Sequence, residues 1–401
     1  MRLKKLSILA LSGVVLTGTM LTGCGSINPD KTVATINGTE ISLGLANYMA
    51  QYTAVDYDTY YMSYFGQDMW TRQSGDDAET MTDRVKSNTL QSLEEYYLLE
   101  EHMDEYGVSL SEDEMTQIET AAADFMSANT EEALEAMGAT KEYVKEQLRL
   151  ATLQQKMYNA IVAGADTNVS DEECAQKTFS YVRVSKTASG DDAESKTDEQ
   201  AAAEAKEKAQ QILDEALSGS TEDPLQTAAE AHDASKATCS YGAKDLQSED
   251  DNSTYLDMAV LEAAEKLGEG EYNQTLIDTD NYYYVIRMDS LDDEDAAERE
   301  RQSIISDRKQ ALYDETLNGY KDAAQWSVDE KAWEPVNFDT IYSKALQQTS
   351  GDSTAESTTD STTDATSDTT SNATSDTTSD TTADSTSDAA SDTAANSDSE
   401  S

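Results

Sequence analysis

The chain has 401 residues, a formal net charge of −52, and only 3 prolines and 18 glycines. That length exceeds what one ordinary core organises, so two or more domains are expected. The carboxylate surplus excludes electrostatic binding of nucleic acid or anionic lipid, because phosphates are repelled; it favours solubility and cationic clients, and self-repulsion of an exported surface protein explains it equally well. So little Pro and Gly predicts mostly regular structure, chiefly helix.

The first residues predict an address. "MRLKK" is a basic n-region, "LSILALSGVVLTGTM" an apolar h-region, and "LTGC" follows directly. The apolar run is too short to span a bilayer and ends in a cleavage pattern, so 1–23 reads as a signal peptide. "LTGC" resembles a bacterial lipobox, which implies a lipidated Cys24 anchoring the mature chain to the outer face of the cell membrane. A polar tether, 24–31, follows. Cys174 and Cys239 read as free thiols, with a disulfide as the alternative; their spacing suggests no metal.

Next comes "TVATINGTEIS", 32–42, in which Asn37-Gly38 sits between β-prone residues, the strongest short hairpin signal. Helical periodicity runs over about 43–163, through Leu45, Tyr48, Met49 and Tyr52, then Val85, Leu90, Leu93, Tyr97 and Leu98, to an expected stop at Gly107. Ser111 and Glu114 form a capping box, and Tyr143, Val144, Leu148, Leu150 and Met157 carry a further helix. The texture changes at 166–177. "FSYVRVS" (179–185) alternates as a strand, 198–217 is a strong helix, and "LQTAAEAH" (225–232) a short one. A helix, a Gly-marked turn and the strand "YYYVIRM" (282–288) follow, then helix from about 294 to 325. From Gly351 the chain is almost wholly Ser, Thr, Asp and Ala, with nothing to offset the entropy of ordering, so 351–401 is expected to be a disordered acidic tail.

This order, together with "VATINGTEIS", resembles the PrsA/SurA-type extracytoplasmic foldases, whose opening reads V-A-x-V-N-G-x-x-I. The resemblance implies an α+β fold. N-terminal helices (32–170) and a returning C-terminal helix (291–346) form a mainly helical chaperone domain around an inserted parvulin-like α/β domain (175–290). Within the insert, "FSYVRV", "YGAKDL" (241–246), "VLEAAEKLGEGEY" (260–272) and "YYYVIRM" are similar to parvulin strand, turn and helix motifs. The resemblance implies binding of unfolded exported proteins, with no cofactor.

A parvulin site loosens an X-Pro bond against a barrier of about 18–20 kcal/mol. The family uses two histidines, an Asp or Cys, and an apolar slot for the proline ring. At those positions this sequence has Tyr181, Tyr284 and either Ala234 or Ser235, and at the slot positions Leu256, Val260 and Glu265. Tyrosines stay neutral at working pH, and a glutamate suits a proline slot poorly. The domain therefore reads as a degenerate isomerase with weak or no activity; His232 is the alternative rescue residue.

The two histidines, His102 and His232, cannot build a multi-histidine metal site, and the acidic stretches lack calcium-loop spacing. No phosphate loop or nucleophile elbow is present. The aromatic segment 48–70 reads mainly as core, with Tyr48, Tyr52, Tyr61 and Phe65 as candidate client-binding residues. Two other functions fit the anchor: an active prolyl isomerase, and a solute-binding lipoprotein of a transporter, which needs two sheet-centred lobes that 43–163 does not suggest.

Overall fold

The computed structural model describes residues 27–74, 79–188, 197–247 and 254–338. The signal peptide, Cys24, the acidic tail and the end of the 291–346 segment lie outside the described residues. Strands β1 (Thr32–Ile36) and β2 (Thr39–Ser42) form the expected hairpin. Its turn needs two positive φ values, which Asn37 (+49°) and Gly38 (+90°) supply. The hairpin does not stand alone. Strand β9 (Trp326–Val328) returns from the far end of the chain and pairs antiparallel with β1, giving the order β2-β1-β9.

Asn37 fastens this closure. Its backbone N–H donates to the Gln325 carbonyl at 3.1 Å, its side-chain oxygen accepts from the Gln325 amide at 2.8 Å, and its Nδ2 donates to Glu101 at 2.6 Å. One residue on from Glu101, the His102 ring stacks on Tyr320, with centroids 3.7 Å apart and planes 5° off parallel.

Helices follow the hairpin: α1 (Leu43–Phe65), α2 (Met81–Glu101), α3 (Glu112–Ala128), α4 (Glu131–Met137) and α5 (Lys141–Val162). The short pair β3 (Gln73–Ser74) and β4 (Glu79–Thr80) joins α1 to α2. Helix α2 stops at Glu101 rather than Gly107; a 3₁₀ turn, Met103–Tyr106, intervenes, and Gly107 at φ +62° ends that turn. The Ser111–Glu114 capping box forms as expected. The periodic residues Leu45, Tyr48, Met49, Val85, Leu93, Leu98, Val144 and Leu148 are buried in one cluster with Val33, Ile36, Ile41, Trp333 and Phe338. Burying each large side chain contributes about 1.5–3 kcal/mol, so the C-terminal segment helps to hold the first hairpin in place.

After α5 the short helix α6 (Asp171–Cys174) leads into a four-stranded antiparallel sheet of order β6-β5-β8-β7. Its strands are β5 (Lys177–Ser185), β6 (Lys236–Tyr241), β7 (Ile277–Asp278) and β8 (Tyr282–Ser290). Alternation on β8 assigns the two faces. Tyr283 and Val285 pack with Val182 and Val184 under α7 (Asp198–Ser218) and α8 (Pro224–Ala231). Tyr284, Ile286 and Met288 pack with Phe179 and Tyr241 under α9 (Met258–Ala264).

Helix α10 (Glu294–Ala323) then runs back along α5 and α2, burying Tyr313 and Leu317 against Leu99, Leu153, Met157 and Ile161. Two of its arginines hold the outgoing connection: Arg301 donates to the Val169 carbonyl and to Asp171, and Arg308 to the Asn168 carbonyl and Glu173. The entry and exit of the sheet region thus lie side by side, with Thr178 opposite Ser290. The short helix α11 (Glu330–Trp333) completes the core. Both Cys174 and Cys239 are free and buried. No described helix is long and apolar enough to cross a membrane.

Two predictions follow from this closure and core. Asn37→Ala loses the side-chain bonds and must hold a strained positive φ, a cost of about 1–2 kcal/mol for the backbone alone. Asn37→Gly loses only the bonds. Urea unfolding should therefore rank parent, Gly, Ala in falling stability; equal Gly and Ala variants would show that the φ constraint is not felt. The second concerns Asp58, which is buried and accepts from the Trp70 indole N–H at 2.7 Å, its other oxygen having no partner among the described residues. Burial pushes its carboxyl up to about 6, against the pull of that hydrogen bond. The folded state then binds the proton more tightly than the unfolded one, so stability is lost as pH rises from about 4 through 6. Asp58→Asn should raise the Tm relative to the parent by about 2 °C or more at pH 8, and by less at pH 4. A difference equal at both pH values would contradict the buried charge.

Candidate functional site

The two sheet positions singled out from sequence come together. Tyr181 on β5 and Tyr284 on β8 project from the same face, their ring centroids 6.0 Å apart and tilted by 51°. Register explains this: Arg183 is opposite Tyr284, so Tyr181 lies two residues along and shares its face. The ring of Tyr282 stands 5.9 Å from that of Tyr284, and the Arg183 guanidinium lies 5.1 Å over Tyr282.

Tyr284 is almost wholly buried, and its hydroxyl donates to Asp257 Oδ2 at 3.2 Å. Burial first, then the Asp257 charge, holds its phenol well above the usual value. It therefore stays protonated at any physiological pH and serves as a hydrogen-bond donor. Leu256 and Val260 are buried in the same cluster, packed with Tyr284, Phe179 and Ile286. Glu265 lies outside it. Its carboxylate pairs with Lys177 at 2.6 Å and accepts from the buried Tyr241 hydroxyl at 3.1 Å. Burial and Glu265 raise the Tyr241 phenol as well.

Ser235 is exposed at the start of β6 and does not join the Tyr284 cluster. With Tyr181 it lines a cavity of about 570 Å³ between β5, α7 and the 233–235 turn. The structure thus separates Ser235 from the expected set: Tyr181, which also borders the cavity, packs against the filled face that Tyr284, Leu256 and Val260 form. His232 caps α8 and pairs with Glu215 of α7 at 3.0 Å. Cys239, on β6, has its thiol pushed up to about 11 by burial, which leaves it an inert thiol at neutral pH. Among the described residues no group of three or more His, Cys, Asp or Glu side chains is placed to hold a metal.

Along α1 the aromatic residues change character. Tyr48 is fully buried, 6.4 Å from Phe125, and Tyr52 packs at the edge of the same core, 6.2 Å from Phe125. Tyr57 abuts Trp70, which in turn lies 5.1 Å from Phe338. Past Tyr57 the ladder leaves the core: Tyr61 is 45 % exposed and Phe65 51 %, their rings 6.1 Å apart, and Tyr64 is 82 % exposed. The helix end is braced by Arg72, which donates to the Phe65 carbonyl at 3.2 Å and to Asp68. Three aromatic side chains therefore stand in solvent on a fixed helix end.

Sequence reasoning did not place three of these features. Tyr64 lay within the aromatic segment, but an all-round aromatic helix has no period to tell its wet end from its core. Asp257 carries no motif; only the fold brings it to Tyr284. Tyr255 is 95 % exposed and holds φ +56°, a conformation rare for a bulky residue, directly before Leu256 and Asp257.

The filled face makes a prediction of its own. Tyr284→Phe removes one hydrogen bond and should cost about 0.5–1.5 kcal/mol, whereas Tyr284→Ala empties a buried ring site and should cost about 3–5 kcal/mol. Chemical unfolding measures both; an alanine variant as stable as the phenylalanine one would mean that the ring is not packed.

No family model matches the chain, and no curated protein matches it. The solved structures similar to it include foldases and chaperones of the PrsA and SurA type. The foldase protein PrsA of Lactococcus lactis is 15 % identical over 79 % of this chain and 99 % of that one, with a TM-score of 0.33. The peptidylprolyl isomerase PrsA of Bacillus cereus is 14 % identical over 79 % and 99 %, with a TM-score of 0.28. A structure from work on the SurA-like chaperones PEB4 and Cj1289 of Campylobacter jejuni is 11 % identical over 74 % and 98 %, with a TM-score of 0.26.

Proposed function

We propose that this chain is an extracytoplasmic foldase of the PrsA/SurA type, anchored through a lipidated Cys24, that holds unfolded exported proteins and has weak or no prolyl isomerase activity. In this reading 32–170 and 291–346 form the holding domain, and 175–290 is a parvulin-like insert. The observation that carries the holding function is the solvent-exposed aromatic end of α1, Tyr61, Tyr64 and Phe65. Exposed aromatic groups on a rigid helix capture apolar segments of an unfolded chain at little entropic cost, and their geometry does not demand one sequence.

The loss of isomerase chemistry is supported by the filled face of the sheet. A proline ring needs an apolar slot; here Leu256, Val260 and the Tyr284 ring pack together. A neutral, hydrogen-bonded Tyr284 replaces a titratable histidine. Membrane anchoring rests on the sequence "LTGC" and is checked separately: Cys24→Ala should abolish incorporation of labelled palmitate in a bacterial host.

The holding function is tested by light scattering from a thermally unfolding reporter protein. The intact chain should keep the reporter soluble. Removal of 177–290 with a short Gly-Ser bridge should leave most of that protection, while Tyr61→Ser, Tyr64→Ser and Phe65→Ser together should remove at least half of it without changing the melting curve. A folded triple variant as protective as the parent would sink the assignment of α1. In a protease-coupled assay across all X-Pro peptides, the rate should stay at background. A rate above background that falls in Tyr284→Phe would establish an isomerase instead.

A further inference from the structure

The cavity beside Tyr181 and Ser235 lies where the sheet has an open edge. The β5–β6 ladder ends at Val182 opposite Lys236, but β5 continues to Ser185, paired on its other side with Tyr282 of β8. Residues 183–185 are thus paired on one side only among the described residues. The Lys186 amide donates across to Asn281, on the β8 side. Antiparallel strands alternate, so the backbone groups of Arg183 and Ser185 point to the open side. Past them the edge closes on itself, because the Thr187 amide is taken by Ser185 Oγ at 3.2 Å.

Beside this edge the cavity of about 570 Å³ is floored by small residues, Ala201 and Ala205 of α7, together with Ala234 and Ala237. An alanine floor leaves room for a main chain to lie flat. The rim carries Arg183 and Lys208 but also Glu204 and Asp233, so its charges balance. Lys208 is further engaged with the Asp233 carbonyl at 3.3 Å. A phosphate or nucleic acid would face a molecule of net charge −52 without a cationic site to hold it. An extended polypeptide fits better: its uncharged amides alternate with the spacing that an open strand edge requires.

We propose that the edge of β5 at Arg183–Ser185 is a second binding site, which takes an extended segment of unfolded polypeptide as an added strand continuing the line of β6. It rests on the reading that this chain binds unfolded polypeptides, and adds to it where, and in what conformation, one segment is held. Main-chain pairing supplies the contacts, so the site selects extended, proline-free segments with small side chains over the Ala201 floor. The exposed α1 aromatics and this edge then recognise different properties of one client, apolar groups at one and backbone at the other.

The test uses the full chain and a fluorescent decapeptide of alternating threonine and valine with a lysine at each end. Its counterpart is the same peptide N-methylated at every second residue. Anisotropy should show binding of the first, and at least tenfold weaker binding of the second. Hydrogen exchange of the Arg183 and Ser185 amides should slow at least tenfold when the first peptide binds. Ser235→Trp, at the exposed rim, should fill the cavity and weaken binding at least tenfold with an unchanged melting curve. Equal affinity for the two peptides, or unchanged exchange at Arg183 and Ser185, overturns the proposal. If the chain still keeps the unfolding reporter soluble in that case, strand addition alone is lost and the holding function stands; if protection is absent as well, the foldase reading falls with it.

Discussion

The pairing of β1 with β9 is the constraint on which the helical part of the molecule depends. Thr35 and Ser327, 292 positions apart, share a hydrogen bond at 2.7 Å. A two-stranded hairpin is marginal by itself, and the third strand with its following turn supplies what it lacks. Trp333 and Phe338 fill the core beside Val33 and Ile41, and Phe338 meets Trp70 under the end of α1. The same closure that completes the sheet therefore also steadies the helix whose last turns carry exposed aromatics.

The two faces of the inserted sheet show how one strand serves two purposes. Tyr283 and Val285 are ordinary core under α7, and Tyr284 on the opposite face is core of another kind. A histidine in its place would need room, water and a partner to titrate. A tyrosine donating to Asp257 needs none of these; it fills volume and satisfies its one polar atom. Filled and satisfied in this way, the Tyr284 face is a structural one, and the strand order does not depend on its chemistry.

Much of this was legible in the sequence where a local rule was strong. Asn37-Gly38 announces its turn because few other residues accept positive φ, and the helices announce themselves by apolar period. The strand β8 shows alternation even through three consecutive tyrosines. Strand β9 did not show itself: three residues carry no period, and its reason to be a strand lies at β1. Strand β6, "KATCSY", was also missed, since Lys236 and Ala237 have little β preference and only pairing with β5 fixes them. Within the candidate site the two tyrosines were visible by position. The bond from Tyr284 to Asp257, the exposure of Tyr64 and the early end of β6 beside Ser235 depend on tertiary placement that no local pattern encodes.

The side-by-side entry and exit of the sheet region have a consequence for the order of events as the chain emerges from its N-terminus. Residues 177–290 contain both ends of their own sheet, with Thr178 opposite Ser290, so that region holds all its strand partners once residue 290 is out. The hairpin at 32–42, although made first, lacks its third strand until 328 has followed. The middle of the chain can therefore settle while the beginning waits, and the long loop that β1 and β9 must close is already shortened by a folded body whose two ends are neighbours.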